Sequence, residues 1–143
     1  MDSTHQSSKS VRTTFRPRGA PVSNPKLFTT AWDECEELQC QDKDEWTSRT
    51  LHVLSSFDRY EVAAVVDGAV IGGVVVAVDE DIHVGPCVSV FAQYVLPEYR
   101  NRGASLACMR EAIRLAKELG ASVLAYTHRV GPWRYETIYR RIN

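Results

Sequence analysis

The chain has no charge excess of either sign. Its 17 Lys and Arg nearly balance its 18 Asp and Glu, for a net charge of −1. There is thus no global basic field to hold nucleic acid and no acidic surplus. Cysteine is sparse, and none of Cys35, Cys40, Cys87 and Cys108 stands in a CxxC pair. That argues against a zinc site and for free thiols, so no metal is expected. The N-terminal stretch lacks the apolar core of a secretory signal. Residues 62–78 are hydrophobic enough to raise the question of a membrane span, but Asp67-Gly68 interrupts them and their β-branched content favours buried strands. A cytoplasmic protein without membrane contact is the expectation. Neither a Walker A loop nor GxGxxG occurs, which removes the common nucleotide-binding loops.

What is present is a chain of 143 residues, 44% hydrophobic and 24% charged, enough for one domain with its own core. Residues 1–25 are rich in Ser and Thr, carry Lys9, Arg12, Arg16 and Arg18, and contain Pro17 and Pro21. They are expected to be a flexible basic arm, with an amphipathic presequence as a poorer alternative because the prolines spoil a helix. Residues 26–143 form the single domain. Phe28, Ala31, Trp32, Cys35 and Leu38 predict one helix, and Trp46, Thr50, Val53, Leu54 and Phe57 a second. Asp33, Glu34, Glu36, Glu37, Asp42, Asp44 and Glu45 run between and around them. They are either a solvated face or an acidic rim that attracts a cationic amine. Residues 59–96 read as three strands: Tyr60–Val66 and Val70–Val78 flank the Asp67-Gly68 hairpin signal, Asp79-Glu80-Asp81 makes a turn, and Val88–Leu96 is a central strand.

After Pro97 the chain runs through Arg100-Asn101-Arg102-Gly103-Ala104-Ser105 into a long helix. Leu106, Met109, Ile113 and Ala116, with Ala112 and Leu119 beside them, predict its buried face, and Gly120 its end. The first N–H groups of a helix lack internal partners and its N-terminus is electropositive. A glycine there admits a ligand to the backbone, and Arg100 and Arg102 add cations. The turn is therefore suited to a phosphate or pyrophosphate, although an ordinary strand–turn–helix with exposed arginines would look the same. Ser122–Thr127 follows as a short strand, which the crossover rule sets parallel to Val88–Leu96. In His128–Asn143, Pro132 is suited to open a helix that packs Trp133, Ile138 and Tyr139 and exposes Arg134, Arg140 and Arg141.

The segment VLPEYRNRGASLACMREAIRLAKELGAS resembles motif A of the GCN5-related N-acetyltransferases (GNAT). The resemblance is strong over residues 88–127. It implies an α/β fold of GNAT type, a central mixed β-sheet flanked by helices. It also implies acetyl-CoA as co-substrate, its pyrophosphate held by the amides of Arg100, Asn101, Arg102, Gly103, Ala104 and Ser105. Ser105 replaces the Gly or Ala usual in that pattern and doubles as a candidate helix N-cap. The pantetheine arm would lie along the strand, between strands that splay apart, and the Tyr94–Val95 backbone would polarise the thioester carbonyl. YETIYRRIN resembles the family's A-x-x-x-Y-E-K-x-G-F, which gives Tyr139 the task of protonating the departing thiolate. Tyr135 and Pro132 replace residues usual in that motif, and the final β-hairpin of the family is missing from the sequence. The implied reaction is direct attack of a primary amine, on a small molecule or peptide, with Glu61, Asp81, His83 and His128 open as the base. The alternative is a non-catalytic interaction or assembly protein of the same fold, such as a phage structural component. Its partner would dock at the C-terminal sheet edge or through the N-terminal arm.

Overall fold

A computed structural model describes residues 9–142. Six strands form one sheet in the order β1 to β6: β1 (Lys9–Arg16), β2 (Arg59–Val66), β3 (Ala69–Asp81), β4 (Gly85–Val95), β5 (Val123–Gly131) and β6 (Arg134–Arg141). Neighbours are antiparallel except β4 and β5, which are parallel and joined by helix α3 (Ala104–Glu118). Helices α1 (Pro25–Thr29) and α2 (Lys43–Leu54) cover the opposite face. The mixed α/β sheet and the parallel crossover are those expected. Among the described residues no helix is long and apolar enough to cross a membrane.

The β2–β3 hairpin turns on Asp67 and Gly68, both with positive φ (48° and 81°), the geometry of a two-residue turn. Gly73 is needed for close approach, since a Cβ there would lie 2.6 Å from the Val62 carbonyl oxygen. The expected turn at Asp79-Glu80-Asp81 is instead the end of β3. The reversal comes later because the Asp81 carboxylate accepts the N–H groups of His83 (2.6 Å) and Val84 (3.2 Å) and Gly85 takes a φ of 75°.

The flexible-arm expectation fails over Lys9–Arg16. This segment pairs with all of β2, Lys9 opposite Val66 and Arg16 opposite Arg59. Its Ser, Thr, Val and Phe content suits a strand, and β2 would otherwise be an open edge. Phe15 packs edge-on against Tyr60 at 5.3 Å. Residues 17–24 are tied down by Arg59, which is fully buried. Its guanidinium donates to the Ala20 carbonyl at 2.7 Å and to Glu61 at 2.9 Å, and Glu61 also accepts the Ser23 N–H at 3.1 Å. Residues 1–8 of the expected arm lie outside the described residues.

The first predicted helix is much shorter than its stripe: α1 ends at Thr29, a 3₁₀ turn spans Thr30–Asp33, and turns continue to Gln41. The second forms as α2, capped by Asp42, whose side chain accepts the Glu45 N–H at 3.1 Å. In α3 the buried face is Cys108, Ala112, Leu115 and Ala116, with Met109 and Ile113 packed beside it. Leu106 is 54% exposed, contrary to expectation, because it lies in the first turn, at the open mouth of a cleft, and Leu119 is exposed because it is the C-cap, past the end of the helix. The helix expected after Pro132 is the strand β6, and Trp133 sits in the turn with a φ of 62°. Residues 134–141 pair with β5 along its length, so edge bonding wins over the helix start.

Candidate functional site

Strands β4 and β5 pair only where Val88–Val90 meets Leu124–Tyr126. Beyond that, both continue, β4 to Val95 and β5 to Gly131, without a shared ladder. The two arms form a V whose facing backbone groups are unpaired between them. A bulge at Phe91, left between the pairs Val75–Ala92 and Val76–Val90, bends β4 where the arms part. The resulting cleft has a volume of about 1360 Å³ and runs from the first turn of α3 to Tyr139.

At the mouth lies the β4–α3 turn. Asn101 and Gly103 have positive φ (61° and 88°), and Gly103 is the helix N-cap, without a side-chain capping bond. The first intrahelical bond is Ala107 N–H to the Gly103 carbonyl at 3.0 Å. The N–H groups of Ala104, Ser105 and Leu106 thus precede the helical ladder. Ser105 is the second helical residue and not the N-cap, because the left-handed turn has already ended at Gly103. Tyr94, Val95, Arg100, Asn101, Gly103, Ala104 and Ser105 all line the cleft. Arg102 does not. It lies 6.0 Å from the Tyr99 ring and faces a smaller hollow beside β1.

Arg100 is on the cleft but already engaged. Its Nε donates to the Val95 carbonyl at 3.0 Å, and its guanidinium meets both Glu34 oxygens at 2.9 and 3.0 Å. Tyr94 donates its hydroxyl to the same carboxylate. These contacts, Arg100 foremost, hold the Glu34 carboxyl below the usual carboxylate range, while burial and then Glu34 raise the Tyr94 phenol. A second cluster repeats the arrangement on the other arm. Arg129 of β5 grips Glu37 in a fork at 2.6 and 2.9 Å, and Tyr135 of β6 donates to the same carboxylate. Arg129 first and Tyr135 second push the Glu37 carboxyl well down, and burial, then Glu37, lifts Tyr135 to about 12. The acidic residues expected as an open rim are, at 34 and 37, neutralised by arginines.

At the closed end, Tyr139 sits opposite Ala125 in the β5–β6 ladder. The helix expected after Pro132 would have carried it, but it projects from a strand, on the same face as Thr137 and Tyr135. Its hydroxyl donates to Asp81 at 3.0 Å and lies 3.2 Å from His83 Nδ1. Burial first, then Asp81, raises its pKa and keeps it protonated. Asp81 is held low, chiefly by the His83 backbone N–H. Ser89 donates to Asp79 at 3.0 Å on the same wall. Of the four expected bases, Asp81 and His128 line the cleft and His83 stands behind Tyr139, whereas Glu61 is committed to Arg59 in the core. The pairing of Glu34 and Glu37 with arginines from β5 and the loop had no local signal in the sequence. Cys35 and Cys108 also line the cleft, and burial raises both thiols, Cys108 to about 11. No group of three or more His, Cys, Asp or Glu that could hold a metal occurs among the described residues.

The lowered carboxyls at Glu34, Glu37, Asp81 and Glu111 set an acid dependence. A depressed folded pKa contributes stability that is complete above the unfolded value of about 4.3 for Glu or 3.9 for Asp and is lost as pH falls through the folded value. Thermal unfolding is expected to be flat from pH 7 to about 5 on the carboxylates' account and to drop below that. Glu37→Gln should shallow the acid slope.

The acetyltransferase (GNAT) family model matches residues 25–132. No curated protein matches significantly. Among solved structures, an aminoglycoside N-acetyltransferase AAC(6')-Iy in complex with CoA aligns at 17% identity with a TM-score of 0.61, over 88% of this chain and 80% of that one. A GCN5-related N-acetyltransferase from Ralstonia eutropha JMP134 gives 17% and 0.59, over 82% of each chain. A ribosomal-protein-alanine N-acetyltransferase from Brucella melitensis biovar Abortus 2308 gives 17% and 0.57, over 85% and 82%. At these identities the likeness concerns the fold.

Proposed function

Since this chain belongs to the acetyltransferase (GNAT) family, we propose that it moves an acetyl group from acetyl-CoA to a primary amine by direct attack. The observation that carries this reading is the V between β4 and β5, opening at the free N–H groups of α3. The residues present fit the co-substrate. A Cβ at Gly103 would meet nothing within 4 Å, so the backbone there is open to an anion. The Ala104, Ser105 and Leu106 amides would bind the pyrophosphate, and the unpaired edges of β4 and β5 would bond the pantetheine amides. When bound, acetyl-CoA supplies the thioester carbon that is transferred.

The remaining work falls to the chain. The amine nitrogen forms a bond to the carbonyl carbon, the carbon–sulfur bond breaks, and the sulfur leaves with the electron pair. Tyr94–Val95 lies five to six positions along β4 from Ser89, which is level with Tyr139, so its backbone would bond the pantetheine arm, and a β4 backbone N–H nearer the Phe91 bulge would polarise the carbonyl oxygen. Tyr139, protonated at neutral pH, gives its hydroxyl proton to the sulfur. Asp81, ionised and beside Tyr139, would attract the arriving ammonium, whose proton would pass to water or to His128 on the cleft wall. Two features support direct transfer over an acyl-enzyme. The cleft exceeds the roughly 300–1,000 Å³ of a single-ligand site, so it has room for both substrates. The cleft thiols are raised, which leaves them poor nucleophiles.

Names among the structural neighbours, aminoglycoside N-acetyltransferase and ribosomal-protein-alanine N-acetyltransferase, support nitrogen acceptors of both small-molecule and protein kind. The test is acetyl-CoA titration followed by thiol release across a panel of polyamines, aminoglycosides, amino acids and peptides. Initial-rate lines that intersect are expected, and parallel lines would overturn direct attack. Coenzyme A binding without thiol release from any amine would favour a binding protein of this fold.

A further inference from the structure

Glu34 and Glu37 lie three positions apart in the turns after α1, yet their carboxylates reach opposite arms of the V. Glu34 is bonded to Tyr94 of β4 and to Arg100 of the following loop. Glu37 is bonded to Arg129 of β5 and Tyr135 of β6. Beyond Val90 and Tyr126 no ladder joins these arms. The segment between the two carboxylates is internally braced. The Leu38 N–H bonds the Cys35 carbonyl at 3.0 Å, the Gln39 side chain donates to the Trp32 carbonyl at 2.9 Å, and Trp32 Nε1 donates to the Gln41 carbonyl at 3.3 Å. A braced turn with a charge-assisted fork at each end behaves as a strut. Glu37 is 7% exposed, so its bonds to Arg129 and Tyr135 are little weakened by solvent.

We propose that Glu34 and Glu37 are positioning residues that fix the width of the gap between β4 and β5 for the pantetheine arm of the acyl carrier. This rests on the acetyl-CoA reading above. Two strands that have parted lose the spacing a ladder would impose. The Tyr139–Asp81 bond holds the β5–β6 hairpin at the closed end of the V, and without a tie near the mouth its outer part would be free to swing on the pairing at Leu124–Tyr126. Binding would then have to order the hairpin as well as the ligand, and that cost would appear as lost affinity. With the strut in place the ordering is done when the chain folds. The effect is confined to the part of the ligand that enters the gap. The nucleotide end, which meets the α3 amides outside it, should not register the strut.

The test follows from that division. Binding of coenzyme A and of adenosine 3′,5′-bisphosphate, which lacks the pantetheine arm, is measured by calorimetry on the full chain and on Glu37→Gln. Tyr135→Phe, which deletes one donor to the same carboxylate and keeps the ring, serves as a milder variant should Glu37→Gln fold poorly. Glu118→Gln is the control, since it removes the exposed 2.5 Å pair with Arg114 at the far end of α3, which touches neither arm nor the braced turn. Glu37→Gln is expected to weaken coenzyme A about tenfold, equivalent to roughly 1.4 kcal/mol, and to leave the bisphosphate within about twofold. Hydrogen exchange should quicken in residues 127–136 and not in α3. Equal losses for both ligands, or none for either, would overturn the strut. A wild-type chain that binds neither ligand would instead overturn the acetyl-CoA reading itself.

Discussion

Gly103→Glu is expected to abolish coenzyme A binding while leaving the domain folded. The position is the N-cap of α3 with a φ of 88°, and a Cβ would meet no atom within 4 Å. The side chain therefore fits, but the left-handed backbone costs an L residue about 1–2 kcal/mol. Domains of this size have roughly 5–15 kcal/mol to lose, so folding should survive. The carboxylate would stand where the pyrophosphate is to sit. Two unit charges about 4 Å apart repel by about 4 kcal/mol at an effective dielectric near 20, or about 10³-fold in affinity. Gly103→Asn separates backbone strain from charge, because asparagine tolerates the left-handed region and is neutral. It should retain most binding. Calorimetric titration with far-UV circular dichroism checks both variants. Unchanged affinity in folded Gly103→Glu would remove the loop from the mechanism.

Tyr139→Phe should lower kcat by about 10²–10⁴-fold with little change in coenzyme A affinity. The substitution keeps the ring and deletes the group that donates to Asp81 at 3.0 Å. Asp81 retains the N–H groups of His83 and Val84, so its charge is not stranded. The loss in stability should be small, that of one solvent-accessible hydrogen bond. Tyr135→Phe provides the comparison. That tyrosine lies on the same strand face nearer the mouth and is engaged with Glu37. If turnover survives at Tyr139 and collapses at Tyr135 without loss of coenzyme A affinity, the proton donor is Tyr135. If both variants turn over normally, the thiolate leaves without a tyrosine.

The parts of this protein that were legible in its residues are those whose interactions close within a few positions. Asp67-Gly68 makes its turn through its own backbone preferences. The β4–loop–α3 unit is contiguous, so Pro97, Gly103 and Gly120 mark its joints, and it lies within residues 25–132 that the family model matches. From these came the mixed sheet, the parallel crossover and the strand–turn–helix form of the loop. The buried stripe of α3 was read partly wrong at Leu106, because position on a helix gives a face but not the extent of the sheet beneath it.

Tertiary structure alone decided the rest. Lys9–Arg16 became a strand only because β2, some fifty residues away, offered an edge to pair with. Residues 134–141 have a helix-opening proline before them, and the β5 ladder overrode it. Arg100 follows the loop pattern, but Glu34, 66 positions earlier, takes up its charge. Glu61 was a candidate base until the buried Arg59 and the crossing segment 17–24 claimed both of its oxygens. Glu37 and Arg129 are separated by 92 positions, and nothing near either residue marks its partner. A carboxylate's neighbours in sequence report its solvation in an extended chain. Which cation it meets is set when segments far apart in sequence are brought together over the folded sheet, and that placement is a property of the whole packed sheet.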